Sequence, residues 1–371
     1  MKKSTIYFKN LDGLRTICFL MVFFFHSFTS QNLTVLNSQT YYTVKVGLFS
    51  NGNLGVNFFF VLSGFLITYL LIVEKQDTKK INVIHFWIRR VLRIWPLYFF
   101  CVFFGFFLFP IIKSHFGQTS QETAHLINYV TFTSNFDFIT NGRPDASILG
   151  VLWSVSIEEQ FYLIWPLLLS LLPVKHYWIL FSTLILASLG YRITHNNYYH
   201  IEFHTLSCMN DLVIGSFVAW LIIRYKALQN RIISSSLVTQ VLPYFAFAVH
   251  FFVRDEILAW NNNLIPYERI FTSILMSWII LDQAININGI FRLSRFKLLI
   301  KSGKYTYGMY CLHFLAILIT ITFTKSLFHQ DTFWTVLVIE PIISLLLTYF
   351  ISIISYNYFE KYFLKLKHQF V

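Results

Sequence analysis

Charge is what this sequence has least of. Asp, Glu, Lys and Arg make up 12% of its 371 residues, against roughly 25% in a soluble globular chain. That scarcity excludes an ordinary soluble domain. Cysteine is rare too. Cys18, Cys101, Cys208 and Cys311 all fall in apolar stretches without metal-ligand spacing, so they read as reduced packing residues and no metal is expected. No small-residue cleavage site follows the first apolar run, which is therefore expected to be a retained helix. No internal repeat is visible, and no segment is long enough for a separate soluble domain. Residues 1–371 are expected to form a single membrane domain.

What is abundant is apolar and aromatic. Hydrophobic residues make up 56% of the chain, with 42 Phe among them. A bilayer core of about 30 Å needs roughly 20 apolar residues of helix. Candidate spans are 12–30, 54–73, 94–112, 148–172, 178–190, 208–223, 237–253, 265–285, 305–324 and 333–358. The expected fold is an all-α bundle of about ten transmembrane helices, with both termini on one side. With the N-terminus inside, and Arg15 counted at the entrance of the first helix, 22 of the 29 Lys and Arg lie inside. This follows the positive-inside rule along the whole chain and makes both termini cytosolic. The formal net charge of +12 is then a topology signal and a contact for membrane lipid, and no nucleic acid is expected.

Ionisable groups inside membrane helices are costly and mark functional candidates. Arg15 and His26 lie 11 residues apart on the first helix, in LDGLRTICFLMVFFFHSF. Eleven steps of about 100° bring them within roughly 20° of one face, separated along the axis by about 16 Å. A coenzyme A pantetheine arm has comparable reach, so phosphates at Arg15 could place a thioester near His26. A snorkelling Arg and a capping His explain the pair equally well. Arg89, Arg90 and Arg93 are expected to precede the third helix. Arg90 and Arg93 are i,i+3 neighbours whose guanidinium forks suit phosphate, although a plain positive-inside anchor also accounts for them. Glu158 and Glu159, deep in the fourth span, are hard to explain as packing. A buried Glu can orient an imidazole or accept a proton. Ser154, one turn away, could bond to Glu158. Tyr307, Tyr310 and His313 step by three along the ninth span as a drifting polar stripe. Asp211 and Glu340 are further candidates, with a helix-terminal hydrogen bond as the plain account of Asp211. Ser63 and Gly64 break an aromatic run, where they can kink a helix or admit another backbone. The loop HNNYYHIEFH, with His195, His200, Glu202 and His204, reads as a wet loop or a glycan-contact surface in preference to a metal site.

In chain order these segments resemble acyltransferase family 3, the bacterial inner-membrane enzymes that O-acylate surface polysaccharides, Nod factors and some antibiotics. The resemblance rests on LDGLRTICFLMVFFFH, GVNFFFVLSGFLIT, FWIRRVLRIWPLYF, WSVSIEEQFYLIWPLLL, NDLVIG and SGKYTYGMYCLHF, and it runs nearly end to end. It implies that Arg15 and His26 match the family's first-helix arginine and catalytic histidine. Arg90 and Arg93 match its cytosolic Arg-x-x-Arg pair, associated with the acyl donor. Glu158, Tyr310 and His313 match later motif positions. The chain departs from the pattern at Asn57, where many relatives carry Asp, and before Asp211, where an arginine is expected nearby. The implied donor is acyl-CoA, acetyl-CoA in the first instance. The implied acceptor is a glycan or a lipid-linked oligosaccharide, with His26 as general base or acyl relay and Glu158 or Glu159 orienting its ring. A proton-coupled transporter, or an acyltransferase with a cytosolic acceptor, would use similar intramembrane groups.

Overall fold

The computed structural model describes residues 8–195 and 197–370. Among the described residues there are helices and no strands, the architecture that satisfies every backbone group within a bilayer without closing a barrel. Ten long helices follow one another: α1 (Lys9–His26), α2 (Leu54–Thr78), α3 (Val83–His115), α4 (Leu152–Leu171), α5 (Tyr177–Thr194), α6 (Thr205–Arg224), α7 (Leu237–Trp260), α8 (Ile265–Ile285), α9 (Thr306–Phe328) and α10 (Thr335–Leu366). Each expected span falls on one of them.

Eight of the ten are long and apolar enough to cross a membrane by that standard alone, and the chain is an integral membrane protein. The two that fall short are α1, which carries Lys9, Asp12 and Arg15, and α4, which carries Glu158 and Glu159. The polar residues that mark these helices as candidates also lower their apolarity. A second difference concerns α3. It begins at Val83 rather than near 94, so Arg89, Arg90 and Arg93 lie on the helix itself and not before it. All four cysteines are free and buried.

The chain falls into two compact units, each assembled from separate stretches of sequence. The first holds residues 1–18, 54–83 and 163–304. Its centre is the crossing of α2 and α6. A methyl group at Gly64 would overlap the Leu212 carbonyl, and one at Gly215 would overlap the carbonyl of Val61. Ser216 Oγ donates to Gly64 O at 3.2 Å. Ser63-Gly64 therefore serves backbone approach, the small-residue contact that draws membrane helices together. Trp165 Nε1 donates to Thr68 Oγ1 at 2.7 Å. Lys75 Nζ caps the end of α4 through the carbonyls of Leu169, Ser170 and Leu172, at 2.6, 3.0 and 2.6 Å, where a cation also suits the helix dipole.

The second unit holds residues 19–53, 84–162 and 305–371. Here α10 presents Ser344, Thr348 and Ser352, all buried at four-residue spacing, on one face. Each hydroxyl is satisfied by a carbonyl four residues back. Gly308 of α9 sits against Ser352 and Glu360, and Thr324 Oγ1 donates to Glu340 Oε1 at 2.6 Å. Glu340 is thus a tie between α9 and α10.

The long connection before α4 is ordered by its own acids. Glu122 accepts from the N–H groups of Asp145 and Ala146. Asp137 accepts from His125, Asn128 and Asn141. Burial raises the Asp145 carboxyl, but hydrogen bonds from Lys113, the Gln121 N–H and Ser120 outweigh it and hold the group below its ordinary range.

Candidate active site

Of the residues singled out from the sequence, Arg15, Ser63 and Asp211 belong to the first unit, whereas His26, Arg90, Arg93, Ser154, Glu158, Glu159, Tyr307, Tyr310 and His313 belong to the second. In the second unit they form a polar file along α9, with contributions from α1, α3 and α4.

At one end is a pair of imidazoles. His26 closes α1, and its ring lies 5.4 Å from that of His313 on α9, with Phe314 4.5 Å from His26 and 4.6 Å from His313. His26 is half-buried and His313 fully buried. Lys45 holds the end of α1 in place. Its Nζ donates to the carbonyls on either side of His26, that of Phe25 and, at 2.9 Å, that of Ser27. Sequence reasoning missed Lys45, because a lysine in a polar loop carries no signal of its own.

The stripe of three on α9 fans out, as steps of three on a 3.6-residue helix must. Tyr307 donates to Ile94 O on α3 at 2.8 Å. Tyr310 OH and Ser154 Oγ on α4 share a 2.6 Å hydrogen bond. His313 turns toward α1. Ser154 therefore pairs with Tyr310 rather than with Glu158, because its side chain faces α9.

The two glutamates also differ from expectation. Trp95 Nε1 donates to Glu159 Oε2 at 2.8 Å, and Glu159 Oε1 is buried without a hydrogen-bond partner among the described residues. Among the described residues neither ring nitrogen of His26 is hydrogen-bonded to a glutamate. The glutamates face α3. Glu158 lies within electrostatic reach of Arg90 and of Tyr310, between the histidine end of the file and its basic end.

The basic end is built on α3. The Arg90 guanidinium lies beside the rings of Phe86 and Tyr162, at 5.2 and 5.3 Å, two cation–π contacts from rings that meet edge to face. Its Nε is buried without a partner among the described residues. Arg89 Nη1 donates to Phe370 O at 2.7 Å, which brings the residues after α10 against α3. Lys367 joins the cluster there. Burial, then repulsion from Arg93, Arg90 and Arg89, lowers its amine to about 8. Sequence reasoning treated Lys367 only as part of the inside charge.

In the first unit, Asp211 is fully buried and paired with Arg269. Nη2 lies at 2.8 Å and Nε at 2.9 Å from Oδ2, while Ser273 donates to Oδ1 at 2.6 Å. The arginine expected close before Asp211 in sequence is supplied from α8. Asp211 is thus an internal ion pair rather than a helix-terminal cap. Arg269 could have been found by the criterion that found Asp211, since it lies within an expected span. Arg15 pairs with Asp12, one turn away. In the histidine loop, the rings of His195 and His204 stack on Tyr191 at 4.1 and 4.3 Å.

The family model described as "Acyltransferase domain" matches residues 8–357. O-acetyltransferase OatA of Staphylococcus aureus strain NCTC 8325 / PS 47 is 30% identical over 378 residues, covering 96% of this chain and 57% of its own length. The protein of the same name from strain COL matches to the same extent. The chain thus spans a little over half the length of these relatives. No solved structure matches it.

Proposed function

This chain belongs to acyltransferase family 3, and we propose that it moves an acetyl group from acyl-CoA to a hydroxyl of a cell-surface glycan or its lipid-linked precursor. The observation that carries the proposal is the polar file of the second unit, with two facing imidazoles at one end and crowded cations at the other. That the relatives are named O-acetyltransferases supports acetyl as the group and oxygen as the acceptor atom.

On this reading the chain sits in a bacterial plasma membrane with its termini in the cytosol, the side where Lys and Arg are concentrated. Arg90 and Arg93, with Lys367, hold the donor's phosphates through charge-assisted hydrogen bonds. Two cation–π contacts hold the Arg90 guanidinium near α3, where its fork suits phosphate. The pantetheine arm runs along α9, past Tyr310, toward His26. There the imidazole pair takes the acceptor's proton, or His26 carries the acyl group between donor and acceptor. Glu158 acts on the Arg90 and Tyr310 side, and Glu159 keeps Trp95 in place.

The test uses membrane vesicles holding wild type or His26→Ala, matched for folded protein. They receive acetyl-CoA labelled in the acetyl group and a mixed pool of bacterial glycans and lipid-linked precursors. The expected result is label in glycan that mild base releases as acetate, with wild type only. No label and no acetyl-CoA binding with wild type would overturn the proposal and favour a carrier.

A further inference from the structure

The two histidines of the pair differ in how their ring nitrogens are held. His313 Nδ1 lies 2.7 Å from the Tyr310 carbonyl oxygen. A carbonyl can only accept, so Nδ1 carries the proton and Nε2 carries the lone pair. Nε2 is buried and has no hydrogen-bond partner among the described residues. The rings of Phe19, Phe23 and Phe314 surround the imidazole, and the Tyr310 side chain is pinned by Ser154 at 2.6 Å. His26 has no such anchor. Among the described residues its nitrogens make no hydrogen bond, so nothing fixes its tautomer.

A histidine acting as general base needs one nitrogen held as a donor by a fixed acceptor. That sets the tautomer and the ring plane and leaves the other nitrogen free to take a proton. His313 meets this requirement and His26 does not. We infer that His313, through Nε2, is the general base toward the acceptor hydroxyl, while His26 works on the acyl side of the same centre. The inference rests on the acyltransferase reading above and divides its labour.

In the step, the acceptor O–H bond breaks and its proton passes to His313 Nε2. The oxygen bonds to the acyl carbonyl carbon, and the tetrahedral intermediate then expels its leaving group. That group is the CoA thiolate or, where the His26 ring nitrogen has first taken the acyl group from the thioester and the CoA thiolate has left with the ring's N–H proton, the His26 ring nitrogen. It takes the proton back from His313, so the products are an ester and a neutral leaving group. While His313 is charged, its Nδ1–H remains on the Tyr310 carbonyl as a charge-assisted bond.

The experiment compares wild type, His313→Gln and His313→Ala in vesicles with labelled acetyl-CoA and the glycan pool. Three quantities are read: acetyl-CoA binding, melting in detergent, and transfer with and without added imidazole. His313→Gln is expected to lose transfer by about 10²–10⁴-fold while binding and melting are kept. Free imidazole is expected to restore part of the transfer to His313→Ala, whose cavity admits the ring, and none to His313→Gln. Transfer by His313→Gln within tenfold of wild type would overturn the inference. So would loss of acetyl-CoA binding or of melting, or a folded His313→Ala that imidazole leaves inactive. Absence of transfer by wild type itself would instead remove the acyltransferase reading on which the inference stands.

Discussion

The two units differ in how they pair their buried acids. In the first, acids and bases are matched. Asp211 meets Arg269, and Glu268 accepts from Arg254 at 2.9 Å and lies 3.0 Å from His250. Even Arg192, fully buried, spends Nε on Pro266 O and Nη1 on Ser207 O, leaving only Nη2 without a partner. Asn210 Oδ1, Ser277 Oγ and Arg292 Nε are likewise orphaned in the first unit, whereas in the second the orphaned atoms among the described residues are Asn53 Oδ1 and three in the polar file, His313 Nε2, Glu159 Oε1 and Arg90 Nε. An unmade buried hydrogen bond costs about 1–3 kcal/mol, which a ligand that completes it would recover. Burial without a partner is as common in one unit as in the other; what marks the second is that a carboxylate oxygen and an imidazole nitrogen are among the atoms left unpaired there.

The strongest way to break this comparison is at the α2–α6 crossing. Gly64→Val would drive a side chain into the Leu212 carbonyl, and no folded protein is expected in size-exclusion profiles of detergent extracts. A folded, active variant would show that the crossing can open. Next comes Asp211→Asn, which leaves the buried Arg269 charge with only the more distant Glu202, at 4.0 Å. The expected loss is about 3 kcal/mol of stability, read as a lower melting temperature, with transfer per folded molecule unchanged. Arg90→Ala should do the reverse. Melting should fall by no more than about 2 kcal/mol, the size of a desolvated cation–π contact, while acetyl-CoA affinity falls roughly tenfold or more, as loss of a charge-assisted phosphate contact implies.

The smallest effect is one of pH. Lys367, with its amine lowered to about 8, is charged below that value and neutral above it. Donor affinity of the wild type should therefore weaken by a few-fold, on the order of one screened charge contact, between pH 7 and pH 9. In Lys367→Met that component of the slope should vanish. An unchanged slope would remove Lys367 from the donor contacts.

The sequence made the helices legible because span length and apolarity are written locally. It also exposed the lone polar residues within them, among them His26, Glu158, Asp211 and His313. Their partners were not legible, because pairing is tertiary. Asp211 and Arg269 lie 58 residues apart, and Ser154 and Tyr310 lie 156 apart. Helical spacing put Ser154 one turn from Glu158, but the hydroxyl faces α9 and takes Tyr310 instead. The same limit affected the glutamates. Their place deep in the span suggested that Glu158 or Glu159 orients the His26 ring, whereas Glu159 meets Trp95 and Glu158 lies within reach of Arg90. Lys45 and Lys367 gave no signal, since lysines in loops and tails are expected to be solvated, and only contacts distinguish these two.

The most direct test of the account sets one group from each unit side by side. His26→Gln and Asp211→Asn would be purified, matched for folded protein, melted in detergent, and assayed for transfer of labelled acetate from acetyl-CoA to the glycan pool. The account predicts that His26→Gln melts like wild type and transfers nothing, while Asp211→Asn melts lower and transfers at the wild-type rate per folded molecule. An inactive but fully stable Asp211→Asn, or a His26→Gln that still transfers, would contradict the division between a unit that holds shape and a unit that works.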